Sequence, residues 1–279
     1  MNYLASISRL RIYLKRKRTR LAKIQKELQK YLEISKIFVK KDWFSKVDKQ
    51  ITLWENNIEA SLKERSITVP EYELFRYLEE DALLTRFISC FTAIETKVMT
   101  DRAKYRQWKG SKNQLFSSQV SQINSTLFEM LVLGKLILSS KNIEPYYENI
   151  DGRLWIENRF VYFEIKSLQK SRFDLKGIGV GGTQHDEWQI NTTLGEKVLQ
   201  LAPYKGNATL VLLSLHRLAD MTTADWYVNE FFGKAEGKAL GGVVVYGWFT
   251  AAGDKKVLLN PGASTPLTEN EGNIIQREL

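Results

Sequence analysis

The sequence is poor in the residues that usually build covalent or metal cross-links, with one cysteine, Cys90, and two histidines among 279 residues. A single cysteine cannot close an internal disulfide or supply a cysteine-based zinc site. No stretch reaches the 18 apolar residues of a membrane-spanning helix, and the N-terminus mixes apolar with basic residues instead of forming the apolar core of a secretory signal. We therefore expect a cytoplasmic protein that does not associate with membranes.

Negative charge is scarce in the first 50 residues, which contain 15 Lys or Arg against four Asp or Glu. The net charge of the whole chain is +9, so the other residues together are close to neutral. A basic segment beside a nearly neutral body is the charge distribution expected for a polyanion partner such as DNA. The densest basic run is Lys15, Arg16, Lys17 and Arg18, and these are the predicted nucleic-acid-binding residues. A solvated helix face is the alternative interpretation.

The apolar residues of the N-terminal segment follow heptad spacing in two stripes. The first stripe is Ile7, Leu10, Leu14, Leu21, Ile24, Leu28 and Tyr31, with Lys17 at the one polar position. The second is Phe44, Val47, Ile51, Trp54, Ile58 and Leu62. We interpret the two as an antiparallel, coiled-coil-like helical hairpin. An intermolecular coil, and with it a homodimer, is the alternative.

The remaining composition predicts a chain of two domains. A third helix begins near Glu71, and the polar stretch from Arg102 to Ser118 indicates a loop. We place the boundary near residue 112, with a helical domain over 1–112 and a mixed β-sheet flanked by helices over 113–279. Strands are expected at 208–215, 242–249 and 256–259, and the tail after Pro261 is expected to be loosely ordered.

The most informative pattern is Glu164-Ile165-Lys166 at the end of the apolar run that begins at Phe160. Residues two apart in a strand share one face, about 6–7 Å from each other, so the carboxylate and the ammonium lie side by side. A second run, 154–156, predicts a hairpin that would bring Asp151 against Glu164. The acidic-x-Lys tripeptide occurs five times in the chain, but only this copy combines a strand, a hairpin and an upstream Asp. Two carboxylates and a lysine suit a divalent cation and a phosphate, whereas a surface ion pair is the simpler interpretation.

These residues resemble the PD-(D/E)XK nuclease superfamily. Its restriction-endonuclease-like fold has a helix, a hairpin, a second helix and a further strand in the same order along the chain. The resemblance covers roughly 120–216. It consists of a helix with Glu129, then Asp151, Glu164-x-Lys166, a helix at about 187–202 and the strand 208–215. Ile150 stands where the family name places a proline.

The resemblance implies a Mg²⁺ site, in which Mn²⁺ can substitute, formed by Asp151, Glu164 and the carbonyl of Ile165. Lys166 would orient or deprotonate the attacking water, or neutralise developing charge. Glu129 would be an accessory acid. The alternative is that Glu129 lies on a solvent-exposed face of its helix. We therefore expect a metal-dependent endonuclease of the restriction, defence or repair type that uses no small-molecule cofactor. The resemblance favours DNA as the substrate, and RNA remains the alternative.

Three further residues are candidate accessory groups: His185, Lys197 and Gln200. His185 follows a glycine-rich segment and is the better placed of the two histidines for a phosphate or water contact. Gln200 and Tyr204 resemble the Gln-x-x-x-Tyr element of the exonuclease branch of the superfamily, although Pro203 is expected to end the helix inside it.

Two functions of other classes remain open. One is a non-catalytic nucleic-acid-binding protein with a degenerate nuclease-like core, which would bind in a salt-dependent way without metal-dependent nicking. The other is an assembly factor whose heptads recruit a partner helix and which is indifferent to Mg²⁺ and DNA.

Overall fold

The computed structural model describes residues 3–56, 70–140, 142–168, 182–215, 221–247 and 255–279, and for residues 3–7 and 182–186 it describes the backbone alone. Within these ranges the chain forms ten α-helices and one six-stranded mixed sheet. The predicted mixed α+β class is therefore confirmed. None of the helices in these ranges combines the length and apolar character needed to cross a bilayer.

The chain divides into two compact units, one of residues 1–91 and 110–126, the other of residues 92–109 and 127–279. The single boundary near residue 112 stays a prediction. The helices before the sheet are α1 (Tyr3–Gln29), α2 (Leu32–Lys40), α3 (Trp43–Asn56), α4 (Pro70–Leu78), α5 (Asp81–Val98), α6 (Arg102–Gln114) and α7 (Val120–Ser139).

The first unit buries the apolar stripes of the N-terminal helices. Helix α1 packs on α2 and α3 within the chain. The buried stripe positions are Leu14, Leu21, Ile24 and Leu28 on α1 and Val47 and Ile51 on α3. The nine-residue α2 stands between the two long helices, because Ile34 and Phe38 supply a buried face of their own. Tyr31 is exposed, and Ile58 and Leu62 lie outside the described residues. A coiled-coil geometry stays a prediction.

The sheet lies in the second unit and keeps its strands in chain order. The strands are β1 (Ile143–Pro145), β2 (Gly152–Ile156), β3 (Arg159–Ser167), β4 (Ala208–Ser214), β5 (Gly242–Tyr246) and β6 (Lys255–Leu259). Pairs β1–β2, β2–β3 and β5–β6 are antiparallel, while β3–β4 and β4–β5 are parallel. Parallel neighbours need a crossover, and these crossovers contain α8 (Gly182–Leu201) and α9 (Met221–Gly233). The predicted hairpin, the helix after it and the three later strands are confirmed to within a few residues.

One face of this sheet forms the core that surrounds the predicted site. Strand residues Tyr162, Val211, Leu213, Val243 and Val245 pack there with Ile190 and Leu194 of α8 and Val228 and Phe231 of α9. The side chains of β3 alternate, so Glu164 and Lys166 share the face of Tyr162, and the parallel register pairs them with Val211 and Leu213. Glu164 therefore projects into an apolar layer.

Two expectations of irregular structure are wrong in part: the loop expected within 102–118 is confined to residues 115–118, and the tail after Pro261 includes a helix. Residues 102–114 form α6, because the fully buried Trp108 anchors an otherwise polar helix and donates its indole N–H to Glu95. The tail contains α10 (Glu269–Glu278), which packs on β6. Thr268 caps α10 with a reciprocal pair of hydrogen bonds to Glu271, a start signal that the sequence contains but that the expectation overlooked. The three-residue strand β1 was not predicted either.

Candidate active site

Glu164 is the buried acidic group at the centre of the site. It lies on β3 under α8 and is only 3% exposed. A carboxylate in such a position costs several kcal/mol unless it is paired, protonated or bound to a cation. Its surroundings therefore have to supply positive charge or a proton.

Asp151 lies directly beside Glu164, as the hairpin predicts. The β2–β3 register pairs Gly152 with Phe163, so Asp151, one residue before β2, stands opposite Glu164. Its Oδ2 accepts the backbone N–H of Ile165 at 2.6 Å. At the residue before β2, the Asp151 side chain thus takes the place of the strand backbone as hydrogen-bond acceptor for β3. This contact brings the second carboxylate to the first.

The turn before β2 holds Asp151 in this position by close packing. A Cβ at residue 152 would stand 2.6 Å from the ring of Phe163 and 2.9 Å from the carbonyl oxygen of Glu144, so only glycine fits there. The turn also contains two non-glycine residues in the left-handed region, Tyr146 (φ 50°) and Glu148 (φ 52°). Such residues cost free energy and persist only where the surrounding structure enforces them. The Tyr146 N–H donates to the Asp151 carbonyl at 2.8 Å.

Lys197, one of the predicted accessory residues, supplies the positive charge. It lies on α8, is 9% exposed, and its Nζ donates to Glu164 Oε2 at 2.6 Å. The same amine donates to Gln200 Oε1, one turn further along α8, also at 2.6 Å. Two of the three accessory residues therefore belong to one hydrogen-bonded group in which Lys197 joins Gln200 to Glu164.

The two carboxyl groups affect each other's protonation. Burial, together with the negative charge of Asp151, raises the pKa of Glu164 to about 7, although Lys197 acts in the opposite direction. Burial also raises the pKa of Asp151, against the opposing effects of Lys197 and the Ile165 N–H. Near neutral pH the pair therefore retains a proton or attracts a further cation.

Lys166 is half-buried on the same face as Glu164. Among the described residues it has no hydrogen-bonding or ion-pair partner, and its charge acts on Asp151 by lowering that carboxyl's pKa. It is thus near the carboxylates without being held by them.

Glu129 is not brought into this group. Glu129 lies half-buried on α7, where the Tyr146 hydroxyl donates to its Oε1 at 3.4 Å. In the described part of the chain, no Asp, Glu, His or Cys joins Asp151 and Glu164 in a cluster of three able to hold a metal ion. The backbone of His185 lies in α8, and its side chain is outside the described residues.

The four residues of the predicted basic run on α1, 15–18, divide into two kinds. Lys17 is paired with Glu79, and Arg18 with Asp48 and Glu55. Lys15 and Arg16 are exposed and are paired with no described carboxylate. The basic run therefore contains two residues that hold helices together and two that face solvent.

A tyrosine pair beside the site was only partly anticipated. The ring of Tyr204 stacks on that of Tyr162 with centroids 4.5 Å apart, and the Tyr204 hydroxyl donates to Glu148 Oε2 at 2.7 Å. Helix α8 ends at Leu201, before Pro203, as expected. The spacing of Gln200 and Tyr204 was the available signal, whereas nothing in the sequence indicated Glu148.

The donor set fits a small divalent cation. Mg²⁺ usually takes one or two protein carboxylates and completes its shell with water and substrate oxygens. Asp151 and Glu164 supply two carboxylates. The N–H and C=O of one strand residue point to the same edge of the strand. Because the Ile165 N–H donates to Asp151, the Ile165 carbonyl also lies on the Asp151 side, beyond the residues that pair β2 with β3. These are the three groups named from the sequence.

No family model, curated protein or solved structure matches this chain. The functional proposal therefore rests on the fold and on the geometry around Glu164.

Proposed function

We propose that this protein is a Mg²⁺-dependent endonuclease of the PD-(D/E)XK type that hydrolyses phosphodiester bonds in DNA. The observation that supports this most directly is the meeting of Asp151 and Glu164 at the edge of β3, with Lys166 on the same face. Both carboxylates have raised pKa values. Groups perturbed in this way by burial and by each other are typical of functional sites.

The order of elements adds support. Helix α7 is followed by the antiparallel strands β1, β2 and β3, then by α8, and then by β4, which is parallel to β3. The Glu-x-Lys pair lies near the C-terminal end of β3, at the start of the crossover. A restriction-endonuclease-like core is therefore part of the proposal.

The residues have distinct roles in the proposed reaction. A bound Mg²⁺ would acidify a water molecule and neutralise charge on the phosphate. Asp151, Glu164 and the Ile165 carbonyl would hold it. The half-buried Lys166, which no described carboxylate pairs, is free to contact the scissile phosphate or the attacking water. Gly152 and the strained turn before it keep Asp151 in register.

DNA binding is assigned to the solvent face of α1. That helix contains nine Lys or Arg and one acidic residue. Lys15 and Arg16 are the members of the predicted run that are exposed and bound to no described carboxylate. Phosphates are attracted mainly by such unpaired surface cations. A homodimer through the heptads and a cytoplasmic location stay predictions from the sequence.

The test is incubation of the protein with supercoiled plasmid, single-stranded DNA or RNA in Mg²⁺, Mn²⁺ or EDTA. We expect metal-dependent nicking of the plasmid. Glu164→Gln should lower it at least about 10³-fold, because several kcal/mol of charge stabilisation are lost. Lys166→Ala should lower it by about 10²–10⁴-fold.

Lys238→Ala is the matched control, since Glu236 and Lys238 form another acidic-x-Lys tripeptide, exposed on a short 3₁₀ helix. It should leave cleavage unchanged. Salt-dependent DNA binding without metal-dependent nicking would instead identify a non-catalytic binding protein. A stable oligomer indifferent to DNA and Mg²⁺ would identify an assembly factor.

A further inference from the structure

Lys197 pairs with Glu164, one of the two carboxylates proposed to hold the metal ion. Its Nζ lies 2.6 Å from Glu164 Oε2, in a buried layer between β3 and α8. The carboxylate of Asp151 lies beside Glu164, and the charge of Lys197 acts on it as well. The ammonium therefore compensates two adjacent acidic groups at once.

A divalent cation bound to Glu164 would lie within a few ångströms of this ammonium. Like charges a few ångströms apart repel strongly where water is excluded. Removal of the ammonium without replacement would leave two buried carboxylates uncompensated. Binding of the cation therefore favours movement of the ammonium away from Glu164.

Gln200 offers the ammonium a second position. Its Oε1 already accepts from Lys197 at 2.6 Å, and the Gln200 side chain is exposed. The four-carbon stem of lysine allows the amine to move toward the open side of α8 and stay solvated there. The displaced charge would then lie next to the site, where an incoming phosphate needs positive charge.

We propose that Lys197 is an exchangeable internal cation, which holds Glu164 in the metal-free site and moves to Gln200 when a divalent cation binds. This rests on the proposed function, because it takes Asp151 and Glu164 as the metal-binding carboxylates. Lys197 is then a positioning residue that sets metal affinity. A purely structural ion pair would make the opposite prediction, that loss of Lys197 leaves metal binding unchanged or weakens it.

The experiment is a calorimetric titration of the full-length protein with Mn²⁺ alone, without DNA, at pH 8. Lys197→Met should bind Mn²⁺ about tenfold more tightly than the wild type, since the repulsion is removed. Lys197→Arg retains the charge and should stay close to the wild type. Lys238→Met is the matched control, because this exposed lysine is not part of the site and its loss should leave the affinity unchanged.

A second variant keeps the experiment decisive if Lys197→Met does not fold. Gln200→Leu leaves Lys197 and its ion pair in place but removes the acceptor for the displaced amine. It should weaken Mn²⁺ binding several-fold, whereas a structural ion pair predicts no change at this exposed position.

The outcomes separate this inference from the function on which it rests. Mn²⁺ binding by the wild type that Lys197→Met does not strengthen would overturn the exchange and leave the nuclease proposal standing. Tighter binding by Lys197→Met with no cleavage of any nucleic acid would support the exchange and overturn the nuclease. No Mn²⁺ binding by any folded variant would overturn both.

Discussion

Two buried glutamates of the second unit, Glu164 and Glu271, have their negative charges compensated in different ways. Both are nearly inaccessible, at 3% and 1% exposure, and each is paired with a cationic side chain. Arg159 grips Glu271 with two hydrogen bonds of 2.6 Å, and the Thr268 N–H adds a third at 2.7 Å. Glu164 has one ammonium at 2.6 Å and a second carboxylate as its neighbour.

The pKa values express this difference. Burial alone would raise the pKa of Glu271, but the hydrogen bonds from Arg159 and Thr268 outweigh it and hold that pKa below its usual range. Burial and Asp151 raise the pKa of Glu164 to about 7 in spite of Lys197. Equal burial therefore does not imply equal roles. A carboxylate fully satisfied by donors holds the fold together, whereas one beside another carboxylate still requires positive charge.

The largest expected effect on stability comes from breaking the satisfied pair. Arg159→Met should destabilise the protein by about 3 kcal/mol, the lower end for a buried pair, because the Arg159 side chain is about a third exposed. Lys197→Met should cost less at pH 7, since Glu164 accepts a proton readily. Urea unfolding of both variants measures this. Equal losses would remove the distinction between the two glutamates.

The pH dependence should have opposite signs at the two sites. Glu164 has a raised pKa, so its contribution to stability is present below its usual pKa of 4.5 and is lost as the pH rises through about 7. The loss is on the order of 3 kcal/mol. Glu271 has a lowered pKa, so its contribution is present above 4.5 and is lost as the pH falls. The test is to measure the unfolding free energies of the wild type, Glu164→Gln and Glu271→Gln between pH 3 and 8. If the stability changes caused by the two substitutions vary with pH in the same direction, the prediction is wrong.

Gly152 tests how Asp151 is held beside Glu164. Gly152→Ala places a methyl group against the Phe163 ring and the Glu144 carbonyl, and this overpacking should cost about 1–3 kcal/mol. It should also weaken Mn²⁺ binding, because Asp151 is displaced. Gly110→Ala is the control, since a Cβ there meets nothing within 4 Å. Unchanged stability and Mn²⁺ affinity in Gly152→Ala would show that the turn does not position Asp151.

The smallest effect is expected at the surface of α1, where the same distinction between satisfied and unsatisfied charge applies. Lys15→Ala with Arg16→Ala should lower the slope of log DNA affinity against log salt concentration by about two. Lys17→Ala with Arg18→Ala should leave the slope unchanged and lower stability instead, because these residues pair with Glu79, Asp48 and Glu55. Salt titrations of DNA binding by both double variants distinguish the two pairs, and an equal fall in slope would contradict the division.

The predictable parts of the fold were those with strong local signals. Two short apolar runs on either side of residues 157–159 placed the hairpin, so the approach of Asp151 to Glu164 was predictable, whereas the exact register was decided by the structure. Helix α6 was missed because one buried tryptophan, Trp108, anchors a mostly polar segment. Glu129 was expected to be an accessory acid of the site because it lies in an apolar helix. The composition of a helix, however, does not determine which neighbouring element an acidic residue on that helix faces.

By itself the sequence determined the strand that presents Glu164 and Lys166, the hairpin before it and the basic character of α1, since these depend on neighbours within about ten residues. The tertiary structure decided which charges are satisfied. Lys197 reaches Glu164 across 33 residues, and Lys17 reaches Glu79 across 62. Coulomb energies depend on distance and solvent exclusion, and both are set only when helices pack on the sheet and on one another.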